Sequence, residues 1–467
     1  QISFVVLNRN RVDTTFSWYQ YIQTLTMGNT FGASVEVNKV EVDSLYLTRS
    51  EHERVLELFA KLEFNASGFN VEQAEAIFQL ENKPEFARLL TAHLLQRIKT
   101  PNDLEAFIVN ITRMTSLATL QSYWDLIPAP EKENWVNYWN MVIEITSNSP
   151  NSNETVQSNT VSKLCEFLDF TSTVSGIHLD QPGQSDQHCV NGLESILNNY
   201  LPHTAKALES YMNCVCFSDL LSPSYKPFYR PILGTPSEVA SMQDILPLAL
   251  HSDSLQGQWK RLYSSSVDGL SFNRVVYHCL GYDGPTCILV KCQDPNNSVI
   301  GAVSYDRWKD SNRFYGSSKN VLFSLTPKLR IYRSKSMSNN AYQWLNTKSP
   351  TLPRGMGFGG TTDGFRMFIP ESLEGCTTST SCPTYETGRL VEGDQFEMHT
   401  LEIWGCGGSD TVQSALQAQA QERAATDENI RRARHVDKAQ FFNNEFDREF
   451  FLSGTTSHGG KDRMGNS

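Results

Sequence analysis

The sequence predicts an α+β chain: an α-helical N-terminal half, a β-rich domain and a C-terminal helix. Three observations carry this. Apolar residues recur at helical spacing from about residue 48 to 217, then fall into short blocks punctuated by Gly, Pro, Asp and Asn from about 259 to 408. A run rich in Ala, Gln, Glu and Arg follows over 410–452. With 467 residues, 39% of them hydrophobic and 11% aromatic, there is apolar surface for two or three cores. The boundaries expected are an N-terminal segment 1–44, a helical region 45–235, a β domain 236–408 and a helix with a disordered tail over 409–467.

Residues 1–44 alternate short apolar runs with Asn, Thr and Gly and predict no element. The chain opens with Gln1, yet Met27 begins "MGNTFGAS"; translation from Met27 would expose Gly28 for N-myristoylation, although Gly32 stands where Ser or Thr is usual. From Thr48, "TRSEHERVLELFAKL" pairs Thr48 with Glu51 as a capping box and sets Val55, Leu58, Phe59 and Leu62 on one face. The loop "EFNASGFNVEQA", 63–74, has Gly68 at its sixth position, as in an EF-hand. Asn65 and Ser67 replace acids and Ala74 replaces the bidentate Glu, so a degenerate EF-hand-like shape without calcium is expected.

Further helices fit "VEQAEAIFQL", "PEFARLLTAHLLQRI", "NDLEAFIVNITRMTSL" and "EKENWVNYWNMVIEI". In the last, Trp135, Tyr138, Trp139 and Val142 keep helical spacing and face a core. Residues 146–160 are polar and aperiodic, which reads as a linker or mobile loop. Helical patterning resumes with "VSKLCEFLDF", "GLESILNNYL" and "HTAKALESYMNCVCF".

In the β domain, "RVVYHCL", "TCILVKC", "VIGAVSY", "NVLFSL", "LRIYRS", "FRMFIP" and "HTLEIWGC" read as strands of a largely antiparallel pair of packed sheets. "RGMGFGGTTDGFRMFIP" resembles a phosphate cradle only superficially. Its glycines precede a short apolar strand ending at Pro370, with no helix and no Lys-Ser/Thr pair, so a turn between strands is expected.

Formal net charge is −11, which disfavours a global attraction to nucleic acid. Ten cysteines show neither a Cys-x-x-Cys pair nor a disulfide framework, as expected of reduced cytosolic thiols without a zinc site. No segment has the length of a transmembrane helix, and "SFVVL" is too short for a signal core. Nucleophile motifs are missing. On a strand, His278 and Cys279 would point to opposite faces. "GTTSHGGKD" departs from a P-loop by one extra glycine and by Asp after Lys. Asp268, Asp363, Glu392, Glu397 and Glu402 are acids available for proton transfer, with no sequence sign that any two converge. Catalytic residues, cofactors and metals are therefore expected to be none.

The C-terminal run carries the sharpest physical signal. Phe442, Phe446 and Phe450 recur every four residues, flanked by Arg431, Arg432, Arg434, Lys438 and Arg448. Either this helix packs on its own β domain, or it lies in a groove of another protein.

Together, "QWKRLYSSSVDGLSF", "GPTCILVK", "VIGAVSYDRW", "FYGSSKNVLFSLTP", "GMGFGG" and "FEMHTLEIWGC" resemble the TLDc domain in its proper order, from about residue 241 to 408. The resemblance implies a β-sandwich with helices, in which "GMGFGG" is a turn before a core strand. Asp268 departs from the His that many relatives carry there. "MGNT" ahead of "LTRSEHERVLELF", with the EF-hand-like helical half and a C-terminal helix, is similar to the lysosome-associated, myristoylated TLDc branch linked to mTOR signalling. That likeness implies a non-enzymatic protein, cytoplasmic and peripheral on lysosomal, vacuolar or other acidic organelle membranes. It implies binding to the vacuolar proton-pumping ATPase (V-ATPase) at its cytosolic catalytic sector, with roles in oxidative-stress resistance or lysosomal signalling. The C-terminal helix is implied to contact the rotary stalk, through Phe442, Phe446 and Phe450 with Arg431, Arg432 and Arg434. The alternatives are a thiol-based antioxidant enzyme and a stress-signalling scaffold without pump contact.

Overall fold

In the computed structural model, residues 46–63, 69–128, 135–146, 154–176, 186–335 and 340–443 are described. Outside them lie Gly28, residues 64–68 of the EF-hand-like loop, residues 147–153 of the expected linker, and Phe446 and Phe450.

Nine α-helices precede the first strand among the described residues: α1 Arg49–Lys61, α2 Val71–Ile77, α3 Pro84–Arg97, α4 Pro101–Thr112, α5 Ser116–Trp124, α6 Val136–Thr146, α7 Glu154–Ser175, α8 Asp186–Tyr200 and α9 Thr204–Phe217. Their starts follow local chemistry. Thr100 and Asp103 form a reciprocal capping box, and Pro84 and Pro101 occupy first positions, where a missing N–H removes nothing. Lys83 gives α3 no side-chain cap; instead Glu144 of α6 accepts from Phe86 N at 2.8 Å and Glu85 N at 3.3 Å. Trp135, Tyr138, Trp139 and Val142 are all buried, and the Trp124 and Trp135 rings lie 4.8 Å apart.

The expected linker is corrected in part. Thr146 closes α6 and residues 154–160 are already helical, because Glu, Gln, Ser, Asn and Thr tolerate a helix that carries Val161, Leu164 and Phe167 buried further on.

Two sheets make the β domain. The first has order β1-β2-β12-β3-β4-β5-β6, comprising Ile232–Leu233, Gln258–Ser264, Met398–Gly405, Thr286–Cys292, Val299–Ser304, Val321–Thr326 and Arg330–Tyr332. The second has order β11-β10-β9-β8-β7, comprising Gln395–Phe396, Cys376–Thr378, Gly364–Pro370, Gly355–Thr361 and Trp344–Asn346. Among the described strands only β1 with β2 is parallel. Alternation along β3, β12, β8 and β9 sends Ile288, Val290, Leu401, Ile403, Met356, Phe358, Met367 and Ile369 into one buried cluster shared by both sheets. The helices α10 Met242–His251, α11 Ser265–Asp268 and α12 Phe272–Cys279 interrupt the strands, and α13 Gly408–Asn443 follows β12.

Two further expectations are corrected. "GMGFGG" is not the turn before a strand but is itself β8; the turn lies at Thr362 and Asp363, between paired Thr361 and Gly364. Its glycines serve close packing: a Cβ on Gly357 would meet Phe365 Cδ1 at 2.6 Å. "RVVYHCL" is not a strand but most of α12, with Phe272, Val275 and Cys279 buried at helical spacing.

The helical region is tied to the β domain by polar contacts. Lys163 Nζ donates to Asp244 Oδ1 (2.8 Å) and Thr326 Oγ1 (3.1 Å); Glu166 pairs with Lys328 and Arg330, each at 3.1 Å. The Arg333 guanidinium lies 4.2 Å from the Tyr200 ring centroid.

Candidate functional site

Gly407, at φ +98°, turns the chain from β12 into α13, a bend few other residues accept. The first part of α13 lies on the β domain through a stripe of Val412, Ala415 and Gln419, each 4% exposed. Ala415 joins the shared cluster beside Leu262 and Tyr282. Gln419 Nε2 donates to His278 O (3.1 Å) and Leu280 O (2.8 Å), the carbonyls that the end of α12 leaves without helical partners. Glu422 pairs with Arg307, and Arg423 donates to Tyr277 O while its guanidinium lies 4.5 Å from the Tyr277 ring centroid.

Beyond Arg423 the stripe stops. Residues 424–434 are exposed except for half-buried Glu428, although the helix continues to Asn443. At 1.5 Å per residue, 424–443 form a rod of about 30 Å. Arg431 and Arg432 both pair with Glu428, at 3.3 and 3.1 Å, and Arg434 is exposed. Phe442 belongs to α13 by its backbone, and its side chain lies outside the described residues.

Docking of α13 leaves grooves along both flanks. One, of about 720 Å³, runs between Val276, Tyr277, Leu280, Trp308, Arg307, Lys309 and the helix residues Glu422, Arg423 and Asp427. On the other flank, about 430 Å³ is lined by Lys260, Arg261, Val267, Asp268, Tyr277, His278, Leu416 and Arg423, and about 470 Å³ by Gln258, Lys260, Val412 and Leu416. The Tyr277 and Arg423 pair is common to the first two.

The five candidate acids are spread over separate elements. Glu402 is fully buried and accepts from Ser237 Oγ (2.6 Å), Glu238 N (2.9 Å) and Trp404 Nε1 (3.0 Å), pinning the 237–238 segment to β12. Asp268 accepts from Ser264 N (2.8 Å) and lies 3.8 Å from His278 Nε2. Asp363 is in the β8–β9 turn, and Glu397 lies 3.5 Å from Gly375 N. Glu392 is exposed. Burial pushes Cys279, Cys292 and Cys376 up to about 12 and raises Cys287 and Cys406 well above the ordinary thiol value. Among the described residues no group of three or more His, Cys, Asp or Glu is arranged to hold a metal.

Sequence reasoning missed Tyr277, Gln419, Glu422, Arg423 and Arg307. The available signal was the helical period of Phe272, Val275 and Cys279, which sets Tyr277 on the opposite face.

Residues 230–407 match the family model of the TLDc domain. The MTOR-associated protein MEAK7 of Xenopus laevis is 32% identical over 169 residues, 35% of this chain and 36% of that protein. Its Danio rerio counterpart is 31% identical over 197 residues, 40% and 42% of the two chains. Oxidation resistance protein 1 of Xenopus laevis is 26% identical over 179 residues, 38% of this chain and 20% of that protein. The matched stretch thus spans less than half the length of these relatives. The two-sheet domain that receives α13 is, by this match, a TLDc domain, and it relates the chain to the proteins named MEAK7 and oxidation resistance protein 1.

Proposed function

We propose that this protein is a non-enzymatic binding module that regulates the V-ATPase by engaging its cytosolic catalytic sector and rotary stalk. The observation that carries the reading is the surplus of α13. The helix holds the TLDc domain through the buried side chains of its first part, and residues 424–434 are exposed except for half-buried Glu428. A helix presented in this way, leading to the Phe442, Phe446 and Phe450 repeat with Arg431, Arg432 and Arg434 beside it, suits a groove in a partner. Peripheral placement on acidic organelle membranes, with lipidation at Gly28 where the chain starts at Met27, belongs to the same reading. No helix of the described residues is long and apolar enough to cross a membrane.

The names of the relatives favour a second reading, a stress-signalling scaffold without pump contact. A thiol-based antioxidant enzyme is the weaker rival, because burial keeps five of the TLDc thiols protonated at neutral pH.

Biolayer interferometry against the purified cytosolic sector tests the proposal. Wild type should bind, and Phe442→Ala/Phe446→Ala/Phe450→Ala should weaken binding far more than it lowers the melting temperature. Absence of wild-type binding would remove the pump reading and leave the scaffold; lost stability with unchanged binding would mean that the aromatic face packs on its own chain.

A further inference from the structure

We propose a second contact surface on the TLDc domain itself, formed by Val267 in α11, Leu270 just after it, Tyr277 on α12 and the cationic rim of Lys260, Arg261 and Arg423. It rests on the binding reading above and names another place where the same partner touches the chain. Its occupant is a protein segment bearing carboxylates and one or two apolar side chains.

Val267, Leu270 and Tyr277 are 62%, 58% and 63% exposed, the three most exposed large hydrophobics among the described residues between 230 and 407. They fall within one stretch of chain, whereas isolated surface apolar residues are normally scattered. Val267 and Tyr277 line the same groove of about 430 Å³, so an apolar side chain entering it meets both.

Charge supplies the second argument. The whole chain carries −11, yet this groove is lined by Lys260, Arg261 and Arg423 against Asp268 as its single carboxylate. A local inversion of that kind selects an acidic partner and steers its approach. Arg423 is held over Tyr277, which fixes both side chains before any partner arrives. Tyr and Arg, which line this groove together, are side chains that dominate protein interfaces, whereas a bilayer offers no shape to fill a groove.

The test uses the full chain and the purified cytosolic pump sector. Tyr277→Ser and Lys260→Glu/Arg261→Glu alter exposed Tyr277 and Lys260 and half-buried Arg261, and unchanged melting temperatures would establish that they fold. Each should weaken binding about tenfold or more, as expected for interface anchors. The charge reversal should also flatten the dependence on salt. Wild-type binding with both variants unaffected would overturn this surface while the pump reading stands. No binding by wild type would overturn both. Vesicles of phosphatidylcholine with phosphatidylserine form the control arm: if the variants lose vesicle binding but bind the sector normally, the surface serves a membrane and the proposal is wrong.

Discussion

The guanidinium of Arg423 lies 4.5 Å from the centroid of the Tyr277 ring and donates to the Tyr277 carbonyl. One turn earlier, Gln419 donates to the carbonyls of His278 and Leu280. Two side chains of α13 thereby satisfy carbonyls that the short helix α12 leaves unpaired at its C-terminal end. The docked part of α13 is a cap for α12 as much as an apolar contact, since Val412 and Ala415 are its only fully covered hydrophobics.

Gln419→Ala should therefore loosen the docked segment by about 1–2 kcal/mol, the cost of leaving part-buried carbonyls without donors. Hydrogen exchange reads this directly. Amides of residues 408–423 and of α12 should exchange faster, with helix content by circular dichroism unchanged. Equal protection in wild type and variant would show that the capping bonds contribute nothing to docking.

Glu144 yields a prediction about pH. Burial raises its carboxyl above the ordinary carboxylate value, against the lowering effect of the Phe86 and Glu85 amides and of Lys83. The folded state thus holds this proton more tightly than the unfolded chain. Its contribution to stability is greatest below the ordinary carboxylate value, declines as pH rises to the raised folded value, and is level above it. Glu144→Gln should flatten that slope. Glu144→Ala, which leaves the start of α3 uncapped, should cost about 1–2 kcal/mol at neutral pH. Denaturant melts at several pH values would check both; an unaltered slope in Glu144→Gln would assign the pH dependence elsewhere.

The helical half and most strands were legible because helical apolar spacing is strong, as in Trp135, Tyr138, Trp139 and Val142, and because buried strands read as short continuous apolar runs, as in "TCILVKC". Errors arose where local composition opposed the tertiary outcome. Val275, Val276 and Tyr277 favour a strand by propensity, yet the stripe from Phe272 to Cys279 decides for α12. Glycines suggested a turn at 355–360, but Gly301 and Gly357 mark places where neighbouring groups press on a strand: a Cβ on Gly301 would lie 1.9 Å from Ile288 O. The candidate site was least legible. It joins residues near 260, 277, 307 and 423, and no local pattern links positions so far apart in sequence.

Calcium should not bind tightly to the 63–74 loop. Ala74, at the twelfth position, is fully buried within α2, so the place of the bidentate Glu is taken by a core methyl group. Titration calorimetry should give a flat isotherm. Micromolar affinity mapped to this loop would require the EF-hand-like reading to be revised.

The TLDc thiols should behave as small buried hydrophobes. With Cys279, Cys292 and Cys376 pushed up to about 12, these thiols should react slowly with a disulfide reagent at neutral pH in the native protein and rapidly once it is unfolded. Conservative replacement of Cys279, Cys287, Cys292, Cys376, Cys382 and Cys406 should leave partner binding largely intact. A fast-reacting native thiol whose loss abolished protection against peroxide would favour the antioxidant reading instead.

The last prediction separates steering from anchoring along α13. Arg431 and Arg432 share Glu428, and all three project with Arg434 from the exposed part of the helix. Exposed pairs of this kind contribute little to stability, generally under about 1 kcal/mol, so replacing them should not disturb the fold. Their long-range field nevertheless acts before contact, when an acidic surface approaches through screened solvent. Arg431→Glu/Arg432→Glu/Arg434→Glu should therefore slow association with the cytosolic pump sector and weaken its salt dependence, with a smaller change in dissociation. The Phe442, Phe446 and Phe450 triple substitution should do the reverse, since each phenylalanine is worth about 1.5–3 kcal/mol only when fully buried, and that energy is lost on leaving the complex. Association and dissociation rates measured on one sensor at two ionic strengths give both answers. If charge reversal left the association rate and its salt dependence untouched, the arginines would have no part in recognition, and the exposed stretch of α13 would act only as a spacer carrying the aromatic repeat.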